Sequence, residues 1–303
     1  MFPLLDPAPC PVCAYDDPRP LHVMRNMRQI VAGPFLGVLG CRRCGFVYVV
    51  PRPSAEALRG FYDPDYDDGW SRGREVESAQ GIEKLERRFE AKRAEARAAL
   101  RSIEPFLPAA SGVAFDFGCG GGAFLDVLKQ DGWRTLGLEP HRLRTFAARR
   151  HEMVDAIPAE PIADLVIANH VLEHVGEPAA VLRQLAAATR RNGRLVCSVP
   201  DLEGLPVHRD LHYVLNAVHI NGFTGVNLEH LCLLTGWELL HLRHGGFVAE
   251  FTHKTRARLS FVARRTDVEV RFSPDPLAPL VAALRRFAAE APPASTDDDA
   301  QSV

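Results

Sequence analysis

"AFDFGCGGGAF", residues Ala114 to Phe124, decides how this chain folds and what it can hold. Two glycine fingerprints overlap in it. Read as G-x-G-x-x-A (Gly118, Gly120, Ala123), it satisfies a dinucleotide-binding pattern, in which loop backbone approaches a pyrophosphate. Read as D-x-G-x-G-x-G (Asp116, Gly118, Gly120, Gly122), it sets a carboxylate just before the first glycine. The two readings want opposite charges beside the loop. Pyrophosphate is anionic, and a neighbouring carboxylate repels it. A ligand carrying cationic groups is instead stabilised there, directly or through water.

Around this loop, strands alternate with helices. "GVAFDFG" reads as a buried strand and "GGAFLDVLKQDG" as a helix; "RTLGLEP" and "HRLRTFAARRH" repeat the pair. "DLVIANHV" and "GRLVCSVPD" are further strands around the helix "EPAAVLRQLAAATRR", with Asn192-Gly193 beyond its end. "VNLEHLCLLTGW" is a helix, and "WELLHLRHGG" and "RARLSFVARR" are two final strands. Such alternation predicts an α/β fold: a mainly parallel, Rossmann-like sheet with helices on both faces. Ligands then sit beyond the carboxyl ends of the strands. Glu139 ends the second strand, where a carboxylate can accept both ribose hydroxyls. Glu139 suits either an adenine dinucleotide or S-adenosylmethionine (SAM), and Asp116 separates them. SAM carries an ammonium and a sulfonium, so the charge favours SAM. Asn169, His170, Glu173 and His174 follow the next strand and put polar groups at the same edge, with Asn169 counted among the cofactor contacts.

Composition bounds the rest. The 303 residues are 47% hydrophobic and 24% charged, ordinary for a globular chain with room for one large domain and an appendage. A net charge of −2 gives no basic surface for nucleic acid. No apolar run approaches the ~20 residues of a membrane span, and no secretory signal is visible at the start. A cytosolic setting follows as the expectation, and there disulfides are rare.

Four of the seven cysteines form two C-x-x-C pairs, Cys10/Cys13 and Cys41/Cys44, separated by residues 14–40. Each pair sets two thiolates on a tight turn, and together they suit one tetrahedral structural zinc site. A hairpin within "LHVMRNMRQIVAGPFLGVL" would bridge the spacer, and Gly45 permits a left-handed turn after the second knuckle. Cys119, Cys197 and Cys232 are isolated and expected to be small buried hydrophobes. The chain then divides into a zinc-ribbon-like module (1–53), a helical linker or lid (54–108), a SAM-binding domain (109–290) and a disordered acidic tail (291–303). The module is expected to have its own staple, so that losing a cysteine loosens residues 1–53 first.

The loop, the acidic residue after the second strand, "NHVLEHV" and "GRLVCSVPD" together resemble the class I SAM-dependent methyltransferases over about residues 110–260. The resemblance implies that Asp116 and the loop glycines contact the methionine part of SAM and that Glu139 holds the ribose. Asp155, in "MVDAIP", is the candidate for the third acidic position, near adenine. "CRRCGFVYVVPRPSAEALRGFYDPDY" looks like the zinc-binding N-terminal segment of deoxysugar C-methyltransferases and of shorter relatives in glycan and natural-product pathways. The longer ones carry a further C-terminal domain of roughly 150 residues, so kinship with the shorter ones is expected. "VHINGFT" resembles those relatives' H-x-x-x-F-[ST] stretch before the helix closing the acceptor pocket, with Phe223 and Thr224 in register.

That places the acceptor chemistry on His219 as general base, with His174 and Tyr213 as further catalytic candidates; an imidazole titrates near neutral pH and suits proton removal. Tyr62 and Tyr66 are candidates for an aromatic lid over the sulfonium. His208 and His212 lie in the same acceptor-side segment, whereas His230 and His241 fall on regular elements and read as structural or exposed. The expected partner is a small-molecule acceptor, a sugar derivative or secondary metabolite methylated at O or C. Two rivals are a dinucleotide-dependent oxidoreductase, opposed by Asp116, and a catalytically inactive scaffold of the same fold.

Overall fold

A computed structural model of the chain describes residues 8–27, 30–62, 78–204, 211–245, 258–266 and 275–290. The expected tail, Tyr66, His208 and the side chain of Tyr62 lie outside the described residues.

The spacer between the cysteine pairs folds as the expected hairpin. Strands β1 (Pro18–Arg25) and β2 (Phe35–Cys41) pair antiparallel, with Pro18 opposite Cys41 and Arg25 opposite Phe35. The chain turns at Gly45, φ +75°, where a Cβ would stand 2.7 Å from Pro276, and returns as β3 (Val47–Val50) beside β2. Helix α1 (Ala55–Tyr62) follows, and α2 (Ala79–Ser102) begins where the Ser78 hydroxyl accepts from the Gly81 amide. The alternating charges of α2 face solvent, as in the Glu83–Arg87 pair at 3.2 Å; Arg93 reaches Asp126 at 3.2 Å and ties α2 to the next helix.

The alternation from residue 112 builds β4 (Val113–Phe117), α3 (Ala123–Gln130), β5 (Arg134–Leu138), α4 (Leu143–Ala147), the two-residue β6 (Glu152–Met153) and β7 (Ala163–Asn169). Then come α5 (Pro178–Ala188), β8 (Thr189–Pro200), α6 (Leu211–Val214), β9 (Asn221–Gly222), α7 (Gly225–Leu234), β10 (Trp237–His244), β11 (Arg258–Arg265) and α8 (Ala278–Glu290). Seven strands form one sheet in the order β10-β11-β8-β7-β4-β5-β6. All neighbours run parallel except β11, which is antiparallel to both β8 and β10.

Side chains of period two divide the sheet's faces. Ala114, Leu165, Ile167 and Val196 pack with Ala99, Leu100, Val127 and Leu128 of α2 and α3. Phe115, Val166, Ala168 and Cys197 face the other way, onto Leu182, Leu185, Leu228 and Leu231 of α5 and α7. Helices on both faces are therefore required by the strands' own sequences.

Three features depart from the expectations. The helix "EPAAVLRQLAAATRR" stops at Ala188, because Thr189 opposite Ala163 already opens β8. Asn192, at φ +64°, and Gly193 then lie inside that strand, where the register with β7 shifts. Helix α8 was not anticipated; its Leu280 and Leu284 cover Met24, Leu36 and Val38 of the β1–β2 hairpin. Finally, the cysteine-bearing segment has no core of its own at its knuckles. Cys10, Cys41, Cys44, Phe46 and Tyr48 share one cluster with Phe115, Leu228 and Phe223, and β3 pairs with β9 from the other end of the chain. Independent loosening of residues 1–53 is not compatible with this shared packing.

Candidate active site

Strand order reverses between β4 and β7, with β5 and β6 on one side and β8 on the other. The crevice beyond their carboxyl ends is where an open α/β sheet accepts ligands. The glycine loop forms one wall. Gly118 (φ +77°) packs on the turn after β7 so closely that a Cβ would stand 2.5 Å from Val171 Cγ2. Gly120 (φ +55°) is the opposite case: a Cβ there would meet nothing within 4 Å, so backbone is presented openly. Gly122 (φ +83°) is the N-cap of α3.

Asp116 lies in β4 at 2% exposure. Burial, and then the charge of Glu139, push its carboxyl well above the usual range. Glu139 follows β5, its Oε2 accepting from the Gly120 amide at 2.7 Å and its Oε1 from His141 at 3.0 Å. Burial also raises Glu139, while those two backbone hydrogen bonds oppose the rise. A cationic ligand reverses both displacements; an anionic one deepens them. Asn169 ends β7, half-buried and in register with Ser198. Asp155 has different surroundings: its side chain is 94% exposed and engaged by Arg144 at 2.7 Å.

The opposite wall is the turn His170–Gly176. The Ile220 and Asn221 amides donate to the Glu173 carbonyl at 2.9 and 3.2 Å, and Asn221 Nδ2 donates to the Leu172 and Val175 carbonyls at 2.8 and 2.7 Å. These bonds carry His219 to His174, with ring centroids 4.6 Å apart and edge to face. The Tyr213 ring lies 6.3 Å from that of His219. The three residues expected on the acceptor side are thus neighbours.

Glu173, at 1% exposure, sits among them, sharing a hydrogen bond with His170 Nδ1 at 3.1 Å and lying 3.9 Å from His174 Nε2. Burial alone would raise its carboxyl, but the His170 hydrogen bond and the neighbouring imidazoles outweigh this and bring it to about 2. The carboxylate is ionised, so Nδ1 of His170 carries the proton between them. Burial pushes His174 down to about 4, against the opposing pull of Glu173. At neutral pH its imidazole is uncharged and able to accept a proton. The sequence showed Glu173 and His170 only as polar residues of a turn; their juxtaposition depends on the left-handed backbone of His170, φ +57°.

Of the remaining histidines, His230 is buried and paired with the Cys44 carbonyl at 3.0 Å, and His241 stacks on Phe106 at 4.7 Å. Both have structural surroundings. The four paired cysteines converge: Sγ atoms of Cys10 and Cys44 are 3.6 Å apart, those of Cys13 and Cys41 3.5 Å, and all four lie within 4.8 Å of one another. Tetrahedral zinc with bonds of about 2.3 Å places sulfurs roughly 3.8 Å apart, so the donor set fits the ion.

The family model described as "Methyltransferase domain" matches residues 86–242, from α2 to β10 and across both walls of the crevice. The chain belongs to that family. The chain is 32% identical over 99 residues to a ubiquinone biosynthesis O-methyltransferase of Methylobacterium sp. (strain 4-46), covering 28% of this chain and 40% of the relative. It is 30% identical over 147 residues to a 37.1 kDa protein in transposon TN4556 of Streptomyces fradiae, covering 41% and 43%. The chain therefore spans less than half the length of these curated relatives. A chain from the complex of the Haloferax volcanii Trm112 methyltransferase activator with its methyltransferase partner superposes with a TM-score of 0.50 at 13% identity. That match covers 63% of this chain and 98% of the other, and shows the shared fold. Family and fold agree with the class I SAM-dependent type expected from the glycine loop. Among the described residues, no helix is long and apolar enough to cross a membrane.

Proposed function

We propose that this methyltransferase moves a methyl group from SAM to oxygen or carbon of a small molecule, such as a sugar derivative or secondary metabolite, in the cytosol. The observation that carries the choice of cofactor is the buried pair Asp116 and Glu139 beside an open glycine backbone. Asp116 faces the cationic methionine end, Gly118, Gly120 and Gly122 admit it, and Glu139 turns from the Gly120 amide to the ribose hydroxyls. Asn169 closes the crevice from β7, and Asp155 is assigned to the adenine side. SAM, when bound, supplies a methyl group on a positively charged sulfur.

On the acceptor side, His219 takes the acceptor's proton as the new bond to carbon forms, and the electrons of the broken bond stay on sulfur. His174 and Tyr213 flank His219 and hold the acceptor in line, which supplies much of the rate through positioning. Zinc on Cys10, Cys13, Cys41 and Cys44 has a structural role in this reading. Support for the cytosol comes from cysteine usage: four thiols converge as a metal-ligand set and the other three stand apart, with no disulfide among the described residues.

Calorimetry with SAM, S-adenosylhomocysteine and NAD tests the reading. Binding of the first two and not the third is expected. NAD binding alone returns the dinucleotide oxidoreductase, and binding of none returns the scaffold. A screen of labelled SAM against candidate metabolites then identifies the acceptor and the methylated atom.

A further inference from the structure

Arg52, just past β3, spends its guanidinium on backbone and amide oxygens from two distant segments. Nη2 donates to the Gly176 carbonyl at 2.6 Å and to Asn221 Oδ1 at 3.0 Å, and Nη1 reaches the Ile220 carbonyl at 3.3 Å. Gly176 ends the turn that carries Glu173 and His174; Ile220 and Asn221 directly follow His219. One planar fork therefore spans the joint between the two histidine-bearing segments, a geometry that a point-charged ammonium cannot reproduce.

Arg52 is itself held by the cysteine-bearing segment. Val47 and Tyr48 of β3 pair with Gly222 and Asn221 of β9, and the Val49 amide donates to the Ile220 carbonyl at 3.1 Å. Phe46 meets Phe223 edge to face at 5.8 Å, and Asn227 Nδ2 donates to the Gly45 carbonyl at 3.2 Å. The strand that leaves the second knuckle thus runs alongside the segment that carries His219.

We propose that Arg52 is a positioning residue for the acceptor side, holding the His174 turn and the His219 segment in one arrangement, with the cysteine-bearing module as its mount. The proposal rests on the role given above to those histidines. Its test reads the histidines themselves, so it stands apart from the question of turnover. The groups facing His174 are Glu173, His170, His219 and the Val218 backbone. If the fork holds them together, its removal separates them and lets water reach the ring.

Imidazole Cε1–H resonances are followed by NMR against pH in the parent, Arg52→Met, Arg52→Lys and Arg42→Met, with His174→Gln and His219→Gln for assignment. Arg42 is an exposed partner of Asp17 at 3.5 Å on the knuckle and serves as the control. In the parent, His174 is expected to titrate near 4. In Arg52→Met it should move toward the ordinary imidazole range by about one pH unit or more, with Arg52→Lys between the two. Zinc content and S-adenosylhomocysteine affinity should stay within about twofold, since no hydrogen-bond partner of Arg52 belongs to either site, although its charge reaches Cys10. Unchanged titration of both His174 and His219 in Arg52→Met overturns the proposal. Should Arg52→Met not fold, unchanged titration in Arg52→Lys overturns it equally. Failure of the parent to bind S-adenosylhomocysteine would instead remove the functional reading and leave this test standing.

Discussion

Replacing His174 by Gln should flatten part of the acid side of the stability profile, and the structure sets the size of the effect. Burial drives this imidazole from 6.5 to about 4, with Glu173 opposing and the neighbouring His219 and His170 adding to the displacement. The group is thus protonated more readily in the unfolded chain than in the folded one. Its contribution to stability is complete above about pH 7 and is lost as pH falls from 6.5 toward 4. At about pH 5 the loss amounts to roughly 2 kcal/mol, at 1.4 kcal/mol per unit of displacement. Glu173 is silent in this window: its carboxyl is depressed from 4.5 to about 2, so its contribution fades only below 4.5. Asp116 and Glu139 are displaced upward and act in the opposite sense, which is why the comparison must be between parent and variant.

The assay is denaturant unfolding, without cofactor, at about pH 7.5 and about pH 5, followed by the fluorescence of buried Trp237. Between the two pH values the parent should lose roughly 2 kcal/mol more than His174→Gln. Equal losses would show that His174 is no more reluctant to take a proton than an exposed imidazole. It would then be charged in mildly acidic solution and unsuited to receive an acceptor's proton there.

Three further outcomes are expected. Glu139→Ala should weaken SAM binding by about 1–3 kcal/mol in calorimetry, through lost hydrogen bonds to the ribose; unchanged affinity refutes the assignment. Protein prepared without chelator should carry about one zinc per chain by elemental analysis, and Cys41→Ser should lower it and also destabilise the catalytic sheet, because Cys41 shares a core with Phe115. His219→Ala should reduce turnover on an identified acceptor by roughly 10²-fold with SAM affinity preserved, whereas intact turnover would pass the role of base to His174 or Tyr213.

Most of the catalytic fold was legible because parallel strands buried on both faces leave near-continuous apolar runs, as in "DLVIAN". The glycine loop was legible for a different reason: Gly118 and Gly122 are glycines under steric compulsion, and compulsion leaves a fingerprint. What could not be read was long-range assembly. Thr189 begins a strand only because Ala163 lies opposite, and no local pattern records that partner. Helix α8 carried a signal, Leu280, Val281 and Leu284 at helical spacing, yet its purpose is to cover a hairpin more than 200 residues earlier in the chain. Nothing local in "PRPS" marks Arg52, because its three acceptors lie on residues 176, 220 and 221. Acceptor candidates were legible as residue types, and their grouping around Glu173 was not.

On the proposed function, the carboxylate pair also bears on how the product would leave. Asp116 lies buried in β4 and Glu139 just past the end of the neighbouring parallel strand β5, and each is pushed toward its neutral form. Their ionisation is uphill until a cation arrives, so the site favours a ligand by the positive charge it brings. On that proposed function, methyl transfer would remove one of SAM's two positive charges and leave a neutral thioether beside the same two carboxyls. Part of the binding energy would then be lost in the chemical step itself, weakening the hold on the product without any movement of the chain. Asp116→Asn keeps the shape of that wall and removes the charge that distinguishes the two ligands. SAM affinity should then fall at least as much as S-adenosylhomocysteine affinity, narrowing the ratio between them. Tighter SAM binding by Asp116→Asn would mean that the carboxylate opposes the cofactor, and the choice of SAM over a dinucleotide would lose its physical basis.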